Sequence, residues 1–581
     1  MPVRMDAKRY IQRLQSLDSQ SSSFFTHYQE LSRYLSPRRS RFEPGDYTRA
    51  GTKMNQAIVN NTGTRAKRVL SSGMMAGITS PARPWFRLRV PDFELNKKKS
   101  VKIWLEQVER VLMEAFARSN LYNGLAVVYD DLATYGTAAM FIEEHPTDIM
   151  RVHVPPIGSY FLALDDAYKV NSFYRKTTFS VEQLVRRFGL ERTSEATQNL
   201  FDRKDYDTRI EVLQVIEPND AVMSGNLDSS GMPWRSVWIE TGTGAGKGSA
   251  AFNSRSQVIL GDSGFNEWPV PAPRWQVVGE DAYGHSPGME ALGDIRALQH
   301  MEKRRAQALD KIVTPPMVGP SLLKKTRVSL LSGDVTYADI PAQRQAFAPA
   351  YTVDPKIVLL ERELQRHESR INSTFFADLF LMLASSGVRQ PITAREVEER
   401  HEEKMLQLGP VLERLQDELL DPTIDRAFGI LQRRGMIPTP PKELEGRDAR
   451  PEYISILAQA QKMLAIVGVE RMTSFVVGLA EADPSAMDKL NTDRVVDEVA
   501  ELMGVNPDLV HSDEEVSKIR EERAAQAAQM QQGAEAAAAA KDGSQAALNL
   551  AKASESQSAQ DLMAQFGPQV AGVAGTGLPS A

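Results

Sequence analysis

The sequence predicts a mixed α+β fold that is mostly helical. Short alternating segments bounded by turn residues occupy 137–277, and such segments are typical of β-strands. Two long segments with helical spacing of apolar residues, 289–313 and 355–384, flank a stretch rich in proline, glycine and β-branched residues. Further helical patterns follow residue 393. This order of elements indicates several distinct substructures in one chain.

The elements before the strand-rich region follow from the spacing of apolar residues. Residues 6–36 are predicted to form one or two helices, and helices are also expected over 55–77, 101–118 and 124–135. The segment Trp85–Val90 alternates between apolar and basic residues, which predicts a strand. The later strands are expected over Thr137–Glu143, Met150–Val154, Tyr160–Ala163, Val170–Thr178, Arg209–Pro218, Ser236–Glu240, Gln257–Gly261 and Pro273–Val277.

The two long helices are similar in length. At 1.5 Å per residue they would measure about 37 Å and about 45 Å. The consecutive prolines at 315–316 end the first helix, and 314–352 contains a basic cluster around Lys324. The simplest interpretation is an antiparallel helix pair with a compact module at its tip.

A loop and a charged helix follow the pair. The small residues of the loop lead to Thr393 and Glu396, which form a T-x-x-E capping box and place the start of the helix. Gly409 and Pro410 interrupt the helical pattern, so we expect a kink there. The segment carries no catalytic constellation, and this favours a mechanical role over a chemical one.

Composition excludes several classes of protein. The chain of 581 residues has no cysteine, so disulfides, thiolate catalysis and cysteine-ligated zinc are ruled out. The first residues lack the apolar core of a secretory signal, and the apolar run at 375–384 contains Asp378 and is too short to span a bilayer. We therefore expect no stable membrane insertion.

Charge is unevenly distributed along the chain. Residues 1–120 carry 22 lysines and arginines against 10 acidic residues, a net of +12, whereas 361–530 carry 21 against 32, a net of −11. The whole chain has a net charge of −6, which does not favour tight, non-specific binding of DNA. This uneven distribution of charge is consistent with three interpretations: ordinary solvated surfaces, electrostatic stacking on neighbouring molecules, or contact with nucleic acid.

Several segments resemble chemical motifs without matching them. Gly242–Ser249 lacks the first glycine of a phosphate-binding loop, and its lysine is followed by Gly248, so a flexible hairpin tip is the better interpretation. His401 begins an H-E sequence that lacks the second histidine of a zinc motif. No cofactor, metal ion or catalytic residue is therefore expected, although an unrecognised active site stays open as an alternative.

Two basic groups are candidates for contact with a partner. Arg389 lies in the loop before the charged helix, where it is either an exposed loop residue or a positive tip that touches a phosphate backbone without reading sequence. Lys324, Lys325 and Arg327 form either a solvated turn or part of a surface that docks on an acidic partner.

Four segments together resemble one family. They are LQSLDSQSSSFFTHYQELSRYLSPR (14–38), TRAKRVLSSGMMAGITSPARPWFRL (64–88), YGHSPGMEALGDIRALQHMEKRR (283–305) and TAREVEERHEEKMLQLGPVLERLQDELLDPTIDRAFGILQRRG (393–435). In this order and spacing, the chain over about 6–510 resembles the portal, or head-to-tail connecting, proteins of short-tailed, T7-like bacteriophages. No one of these segments is chemically diagnostic, so the resemblance depends on their combination.

The resemblance implies a portal-type architecture that assembles into a ring. The N-terminal helices and the β-rich wing would occupy 1–283. Two stem helices, 284–313 and 353–384, would flank a small α/β clip at 314–352. The chain would continue with a tunnel loop (385–393), a kinked helix that returns to the wing (394–450), a helical crown (451–523) and a tail rich in alanine, glutamine, serine and glycine (524–581), which is disordered or barrel-like on assembly. The tunnel loop would place Ser385, Ser386, Gly387, Val388, Arg389 and Gln390 toward DNA, and the clip would dock partners through Lys324, Lys325 and Arg327.

By the same resemblance the chain would be a non-enzymatic channel at one capsid vertex. The ring, a dodecamer, would pass double-stranded DNA non-specifically during packaging and ejection. Its protein partners would be the terminase large subunit, the tail adaptor and tail tube proteins, and the major capsid and scaffolding proteins. It would reside in the virion, and in the host cytoplasm during assembly. The alternatives are an ATP-driven packaging motor, which the failed phosphate loop disfavours, and an internal ejection protein that interacts with membrane or DNA.

Overall fold

The computed structural model describes residues 7–39, 42, 54–96, 98–219, 231–243, 258–313, 317–318, 348–349, 357–385, 407–444, 450–453, 472–479, 490–503, 516–530, 541 and 544–545. The chain divides into two units, Met1–Val467 and Gly468–Ala581. The first unit contains every strand described below. In the second unit, Arg520 donates to both carboxylate oxygens of Asp493, each at 2.7 Å.

Helices account for most of the described residues, so the mixed and mostly helical class is confirmed. Their bounds are α1 Ala7–Leu35, α2 Thr62–Gly77, α3 Phe93–Asn96, α4 Lys99–Arg118, α5 Leu121–Tyr135, α6 Val181–Phe188, α7 Glu195–Asp202, α8 Pro287–Val313, α9 Ile357–Thr374, α10 Ala377–Ser385, α11 407–415, α12 Asp421–Arg433, α13 472–479, α14 Thr492–Met503 and α15 516–530. A π-helical segment, Gln416–Leu420, joins α11 to α12.

The strands are short except in one sheet. Their bounds are β1 Phe86–Arg89, β2 Phe141–His145, β3 Ile149–His153, β4 Tyr160–Leu164, β5 Val170–Ser180, β6 Arg209–Pro218, β7 Trp234–Thr243, β8 Val258–Phe265, β9 Met317–Val318, β10 Ala348–Pro349 and β11 Arg450–Tyr453. Most lie within two or three residues of the predicted bounds, because strong alternation and flanking turn residues specify them.

Strands β4 to β8 form one antiparallel sheet in sequence order. The N-terminal half of α1 lies on one face of this sheet, and side chains alternate along each strand so that one set of apolar residues meets the helix. The resulting cluster contains Tyr10, Ile11, Leu14, Leu17, Phe161, Ala163, Tyr174, Leu213, Val215, Val237 and Ile239. On the opposite face α6 covers Ile210, Val212, Trp238 and Leu260.

Helices α6 and α7 were not predicted, although the first carries a clear signal. The hydroxyl of Ser180 accepts from the backbone of Gln183, and the Gln183 side chain accepts from the backbone of Ser180. This reciprocal pair is the capping box that the sequence S-x-x-Q encodes. At the start of α7, the buried carboxylate of Glu240 accepts hydrogen bonds from Ser194 and Thr197.

The strand predicted over Pro273–Val277 is wrong. The backbone N–H groups of Ala138, Met140 and Ile142 donate to the carbonyls of Pro273, Pro271 and Pro269 at 2.8–3.1 Å. The prolines have no N–H with which to return these bonds, and Trp275 beyond them donates to the carbonyl of Gly136 at 2.8 Å, so this extended segment forms isolated bridges instead of a ladder. The same pairing accounts for the late start of β2, which was predicted from Thr137.

The start predicted for α2, at Asn55, is also wrong, because the helix begins at Thr62. The backbone N–H groups of Val59 and Asn60 donate to the side chain of Gln299, at 2.6 and 2.7 Å. A long-range contact therefore holds the residues before Thr62 outside the helix, and helical spacing of apolar residues does not reveal such a contact.

The main core joins the N-terminal helices to the segments far along the chain. Trp85 and Phe86 are buried against Phe116 of α4 with ring centroids 5.9 and 6.0 Å away. Strand β1 pairs antiparallel with β11, and the indole of Trp104 donates to the carbonyl of Pro438 at 2.9 Å. Pro438 and strand β11 thus return to the body built by residues 62–135.

Candidate functional site: the paired helices and the segments that hold them

Helices α8 and α9 pack side by side in opposite directions. Asp294 of α8 lies against His367 and Arg370 near the end of α9, with nitrogen-to-oxygen distances of 2.7 and 3.6 Å. Strands β9 and β10, which come after α8 and before α9, pair antiparallel with each other. Two contacts at opposite ends of the pair therefore show the predicted antiparallel arrangement.

The pair has a buried root and an exposed outer half. Residues Ile295, Leu298 and Gln299 are the last buried residues of α8, and none of the residues 300–313 is buried. Fourteen residues at 1.5 Å each extend about 21 Å. The outer half carries large apolar side chains in contact with solvent, namely Leu309, Ile312 and Val313 of α8 and Leu359 of α9.

A polar bracket fixes the root of the pair to α2. The Gln299 carboxamide accepts from two backbone N–H groups, as described above, and donates to the carbonyl of Asn60 at 2.7 Å. The Asn60 side chain donates to Glu368 of α9 at 3.0 Å and accepts from the backbone of Thr62 at 2.8 Å. One asparagine thus links α9 to the start of α2. The run Asn60-Asn61-Thr62 is a helix-start signal that could have shown this boundary from sequence.

The module between the two helices is closed at its base by β9 and β10. The register pairs Met317 with Pro349 and Val318 with Ala348. The predicted clip residues Lys324, Lys325 and Arg327 lie outside the described residues, as does most of 314–352. Their docking role remains a prediction.

The single helix predicted from 355 to 384 is two helices. Helix α9 ends at Thr374, and Phe376 adopts a left-handed backbone conformation with φ of 53° before α10 begins. The break places Phe375 in the main core while Phe376 contacts the indole of Trp275 at 6.4 Å between ring centroids. Helical periodicity continues across 374–377, so the sequence gives no sign of this turn.

Helix α10 lies directly on α2. The Phe380 side chain fills the space beside Gly73, where a Cβ atom would lie 2.8 Å from the Phe380 Cβ and closer still to its ring. This glycine permits the close approach of the two helices. Ser385 is the last residue of α10, and the other predicted loop residues, Ser386, Gly387, Val388, Arg389 and Gln390, lie outside the described residues.

The returning helix contains a π segment that was not predicted. Gly409 and Pro410 lie within α11, and the kink expected at them remains a prediction. The π segment begins at Gln416 and presents Glu418 to Arg274, whose guanidinium donates to both carboxylate oxygens. The backbone N–H of Arg274 also donates to Glu418, at 2.9 Å. This pair, in which Arg274 is buried and Glu418 half-buried, joins the helix to the proline-rich segment.

Three arginines hold α12 against β2 and β3. Two of them lie within the helix, and the third directly follows it. Arg426 donates to Glu267 at 2.6 Å, and Arg433 bridges Glu267 and Glu144. Arg434 donates to the carbonyl of His145. Burial lowers the pKa of Arg426, while Glu267 raises it in opposition. These contacts position the C-terminal end of the returning helix on the strand-rich region.

The segments that resemble chemical motifs lie mostly outside the described residues, as does His401, so their interpretation stays a prediction. Gly242 and Thr243 end β7, which pairs antiparallel with β8, and the rest of Gly242–Ser249 lies outside the described residues. Within the described ranges, no group of three or more histidine and acidic side chains is arranged for a metal ion. None of the helices that the structure describes is both long and apolar enough to cross a membrane.

Comparison with known proteins matches the predicted resemblance. Residues 7–510 fit the sequence pattern of the family described as bacteriophage head to tail connecting protein. The chain is 45% identical to the "Portal protein" of Salmonella phage epsilon15 over 537 residues, covering 92% of this chain and 94% of that relative. It is 39% identical to the "Probable portal protein" of Bordetella phage BPP-1 over 544 residues, covering 93% and 96%. The helix pair, its bracket and the returning helix all fall within these matches, and the chain belongs to the family of bacteriophage head-to-tail connecting, or portal, proteins.

Proposed function

We propose that the chain is the subunit of a closed ring, a dodecamer, that forms the channel for double-stranded DNA at one capsid vertex. The observation that carries this proposal is the helix pair, in which α8 extends about 21 Å beyond Gln299, its last buried residue. The names of the two relatives support the same role. The chain performs no chemistry of its own in this proposal and acts as a conduit and docking platform.

The outer half of the pair is suited to contacts between neighbouring subunits. Leu309, Ile312 and Val313 expose apolar surface that a solitary chain would leave in water. Charged residues of both signs surround them, and pairs such as Arg366–Glu363 and Arg305–Glu302 leave no strong excess of either sign. In a ring, each pair would present one side to one neighbour and the other side to the next, which is a heterologous closed interface.

Passage of DNA requires weak and repeated contact. A channel that binds phosphates tightly would retain the duplex, and the net charge of −6 disfavours such binding. The loop from Ser385 to Thr393 follows α10, and α10 is fixed on α2. We assign this loop to the channel wall, with Arg389 repeated once per subunit around the axis as a weak contact.

The remaining segments take roles by the same proposal. The module closed by β9 and β10 docks the terminase large subunit during packaging and the tail adaptor afterwards, through Lys324, Lys325 and Arg327. The outer body contacts capsid and scaffolding proteins, and the assembled ring resides in the virion. We assign the crown to the part of 451–523 that follows β11, and the role of the 524–581 tail stays a prediction.

Electron microscopy of the purified chain in negative stain tests the ring. The expected result is a closed ring with a central channel, and Ile312→Asp together with Val313→Asp should prevent its formation by placing charges in the subunit contact. Ile103→Asp is the matched control, because Ile103 is a similarly exposed apolar residue on α4. A wild-type chain that stays monomeric over the micromolar range would contradict the proposal.

Deletion of 386–390 and Arg389→Gln test the loop. Rings should form normally from both variants, while packaging or retention of DNA is impaired. If the variants instead fail to form rings but package DNA in those that assemble, the loop assignment is wrong.

A further inference from the structure

Two neighbouring loops expose large apolar side chains. The loop 165–169 joins β4 to β5 and presents Tyr168, which is 52% exposed, and the loop 278–281 presents Val278, which is 57% exposed. The buried guanidinium of Arg274 donates to the carbonyl of Tyr168 at 2.9 Å and to the carbonyl of Asp281 at 3.2 Å. One buried side chain therefore fixes the two loops to each other, and we call the surface that they form together the acidic tip.

Tyr168 occupies a backbone conformation that favours glycine. Its φ is 59°, in the left-handed region, and its backbone N–H donates to the carbonyl of Asp165 at 3.2 Å. The N–H of Asp165 donates to the carbonyl of Lys169 at 2.9 Å, so the chain reverses through a turn that is followed by one left-handed residue. Glycine is preferred at that position, because a Cβ atom there crowds the backbone. A tyrosine therefore strains this hairpin.

The side chain of Tyr168 gains little from its own subunit in return. About half of it is exposed, and its hydroxyl donates to Glu280 at 3.4 Å in a hydrogen bond that is open to solvent. The loop does not need the tyrosine ring for its shape, since the Asp165 carboxylate accepts from the backbone N–H groups of Ala167 and Lys169. An exposed aromatic side chain that is held rigidly at a strained position is typical of an anchor for another molecule.

The charges of the acidic tip favour a basic partner. It carries four carboxylates and one ammonium group, a formal charge of −3, from Asp165, Asp166, Glu280, Asp281 and Lys169. Arg274 does not offset this charge, because its guanidinium is paired with Glu418. An apolar centre with an anionic rim selects a partner that offers cations beside a surface on which the apolar side chains can lie.

Helix α2 exposes a surface of that kind. Arg65, Arg68, Ser72 and Ala76 recur at intervals of three or four residues and are all exposed, so they form one stripe along the helix. Among the residues that the structure describes, neither guanidinium forms an ion pair or a hydrogen bond. The small side chains of Ser72 and Ala76 leave room for an aromatic ring beside the two charges. Because the acidic tip and the α2 stripe are both exposed in one subunit, they are available to meet between copies.

We propose that the acidic tip of one subunit docks on the α2 stripe of the next subunit, with Tyr168 as its anchor. The two surfaces differ, so the contact is heterologous and can repeat from copy to copy, as a closed ring requires. This inference rests on the ring of the proposed function and adds a second contact to that of the helix pair. Opposite charges at its rim select the correct face of the neighbour.

Photocross-linking of the full-length chain tests which surfaces meet. With p-benzoylphenylalanine in place of Tyr168, illuminated rings should yield covalent dimers that mass spectrometry maps from residue 168 to α2 of the neighbour, Thr62–Gly77. The same replacement of Tyr206, an exposed tyrosine between α7 and β6, is the matched control and should give no link to α2. Rings without a link from 168, or with a link to another segment, overturn this contact alone, whereas a chain that forms no rings in the electron microscope overturns the ring as well.

Tyr168→Gly separates an anchor from a residue that stabilises its own subunit. Glycine accepts the left-handed conformation, so the unassembled variant should resist urea at least as well as the wild type. The subunit concentration at which half of the chains are in rings, measured by sedimentation velocity, should rise about tenfold or more, because truncating an aromatic anchor weakens an interface by at least that much. A variant that assembles at the wild-type concentration, or that unfolds more easily than the wild type, overturns the proposal.

Exchange of charges tests the pairing of the two surfaces. Asp166→Lys with Glu280→Lys should raise the half-assembly concentration, and so should Arg65→Glu with Arg68→Glu, because each pair of substitutions places like charges opposite each other. All four substitutions together should return it to within about threefold of the wild-type value, since the charges are then complementary again. If the fourfold variant assembles no better than either double variant, the acidic tip does not meet the α2 stripe and the proposal is wrong.

Discussion

The contact between Gly73 and Phe380 allows the docking of α10 to be tested by a single methyl group. In Gly73→Ala the added Cβ would overlap the Cβ, Cγ and Cδ1 atoms of Phe380, the first of these at 2.8 Å. Phe380 is buried and its overlapping atoms are at the near end of the side chain, so the ring cannot swing away and α10 itself must move. Overpacking of this kind costs about 1–3 kcal/mol.

The gain in helix propensity partly offsets that cost. Replacing glycine by alanine inside a helix stabilises by about 1 kcal/mol. Gly293 of α8 is the matched control, because no atom lies within 4 Å of the position that its Cβ would take. Gly293→Ala should therefore gain about 0.5–1 kcal/mol, whereas Gly73→Ala should show a net loss of up to about 2 kcal/mol, the difference between the two terms.

Native-state hydrogen exchange is the appropriate measurement, since α10 can separate from α2 without global unfolding. A loss of about 2 kcal/mol, the upper end of this range, corresponds to a fall of about 30-fold in the protection of α10 amides. In the background of Phe380→Ala, the overlap with the ring is removed and only the contact with the Cβ at 2.8 Å remains, so the methyl group should be much less harmful. Equal protection in Gly73→Ala and Gly293→Ala would refute the steric reasoning.

Three further outcomes are expected. Glu418→Ala leaves the guanidinium of Arg274 buried without its carboxylate and should cost about 3–5 kcal/mol in urea unfolding, whereas Glu413→Ala, at an exposed glutamate of α11, should change stability by less than about 0.5 kcal/mol. Gln299→Met should cost about 1–3 kcal/mol by leaving two backbone N–H groups unpaired, a loss that the exposed substitution Gln276→Met should not share. Burial lowers the pKa of His153 below 6.5, so the unfolded chain binds a proton more readily than the folded chain does. Stability should therefore fall as pH decreases from about 6.5 through the lowered pKa, and His153→Gln should flatten this part of the pH profile. A steeper acid loss in His153→Gln than in the wild type would contradict that sign.

The parts of the fold that sequence predicted well are those specified locally. The bounds of β6, Arg209–Pro218, were predicted correctly because isoleucine, valine and leucine dominate its interior and proline ends it. The 29-residue α1 was also located, since its apolar stripe runs along most of its length. The antiparallel arrangement of α8 and α9 followed from two long helices with a short module between them.

The errors arose where a distant partner overrides a local pattern. Gln299 holds back the start of α2 from 240 residues away in sequence, and this contact has no periodic signature. Phe376 breaks a continuous helical pattern because the aromatic residues around it are buried against different partners. The prolines at 269, 271 and 273 can accept but cannot donate, so an apparent strand forms isolated bridges instead of a ladder.

The candidate site was predicted in outline and missed in detail. The place of the loop after the second long helix was expected, but Gly73, which permits α10 to dock, reads in sequence only as a glycine within a helical pattern.

The π segment at Gln416–Leu420 confines the places where the returning helix can change in length. A π turn holds one residue more than an α turn, so removing one residue there would let the helix close in regular form with both ends in their original orientation. Elsewhere between 407 and 433 a deletion would rotate the following residues by about 100° and carry Arg426 away from Glu267. Gain or loss of single codons in this helix should therefore be accepted at the π segment before it is accepted at any other turn.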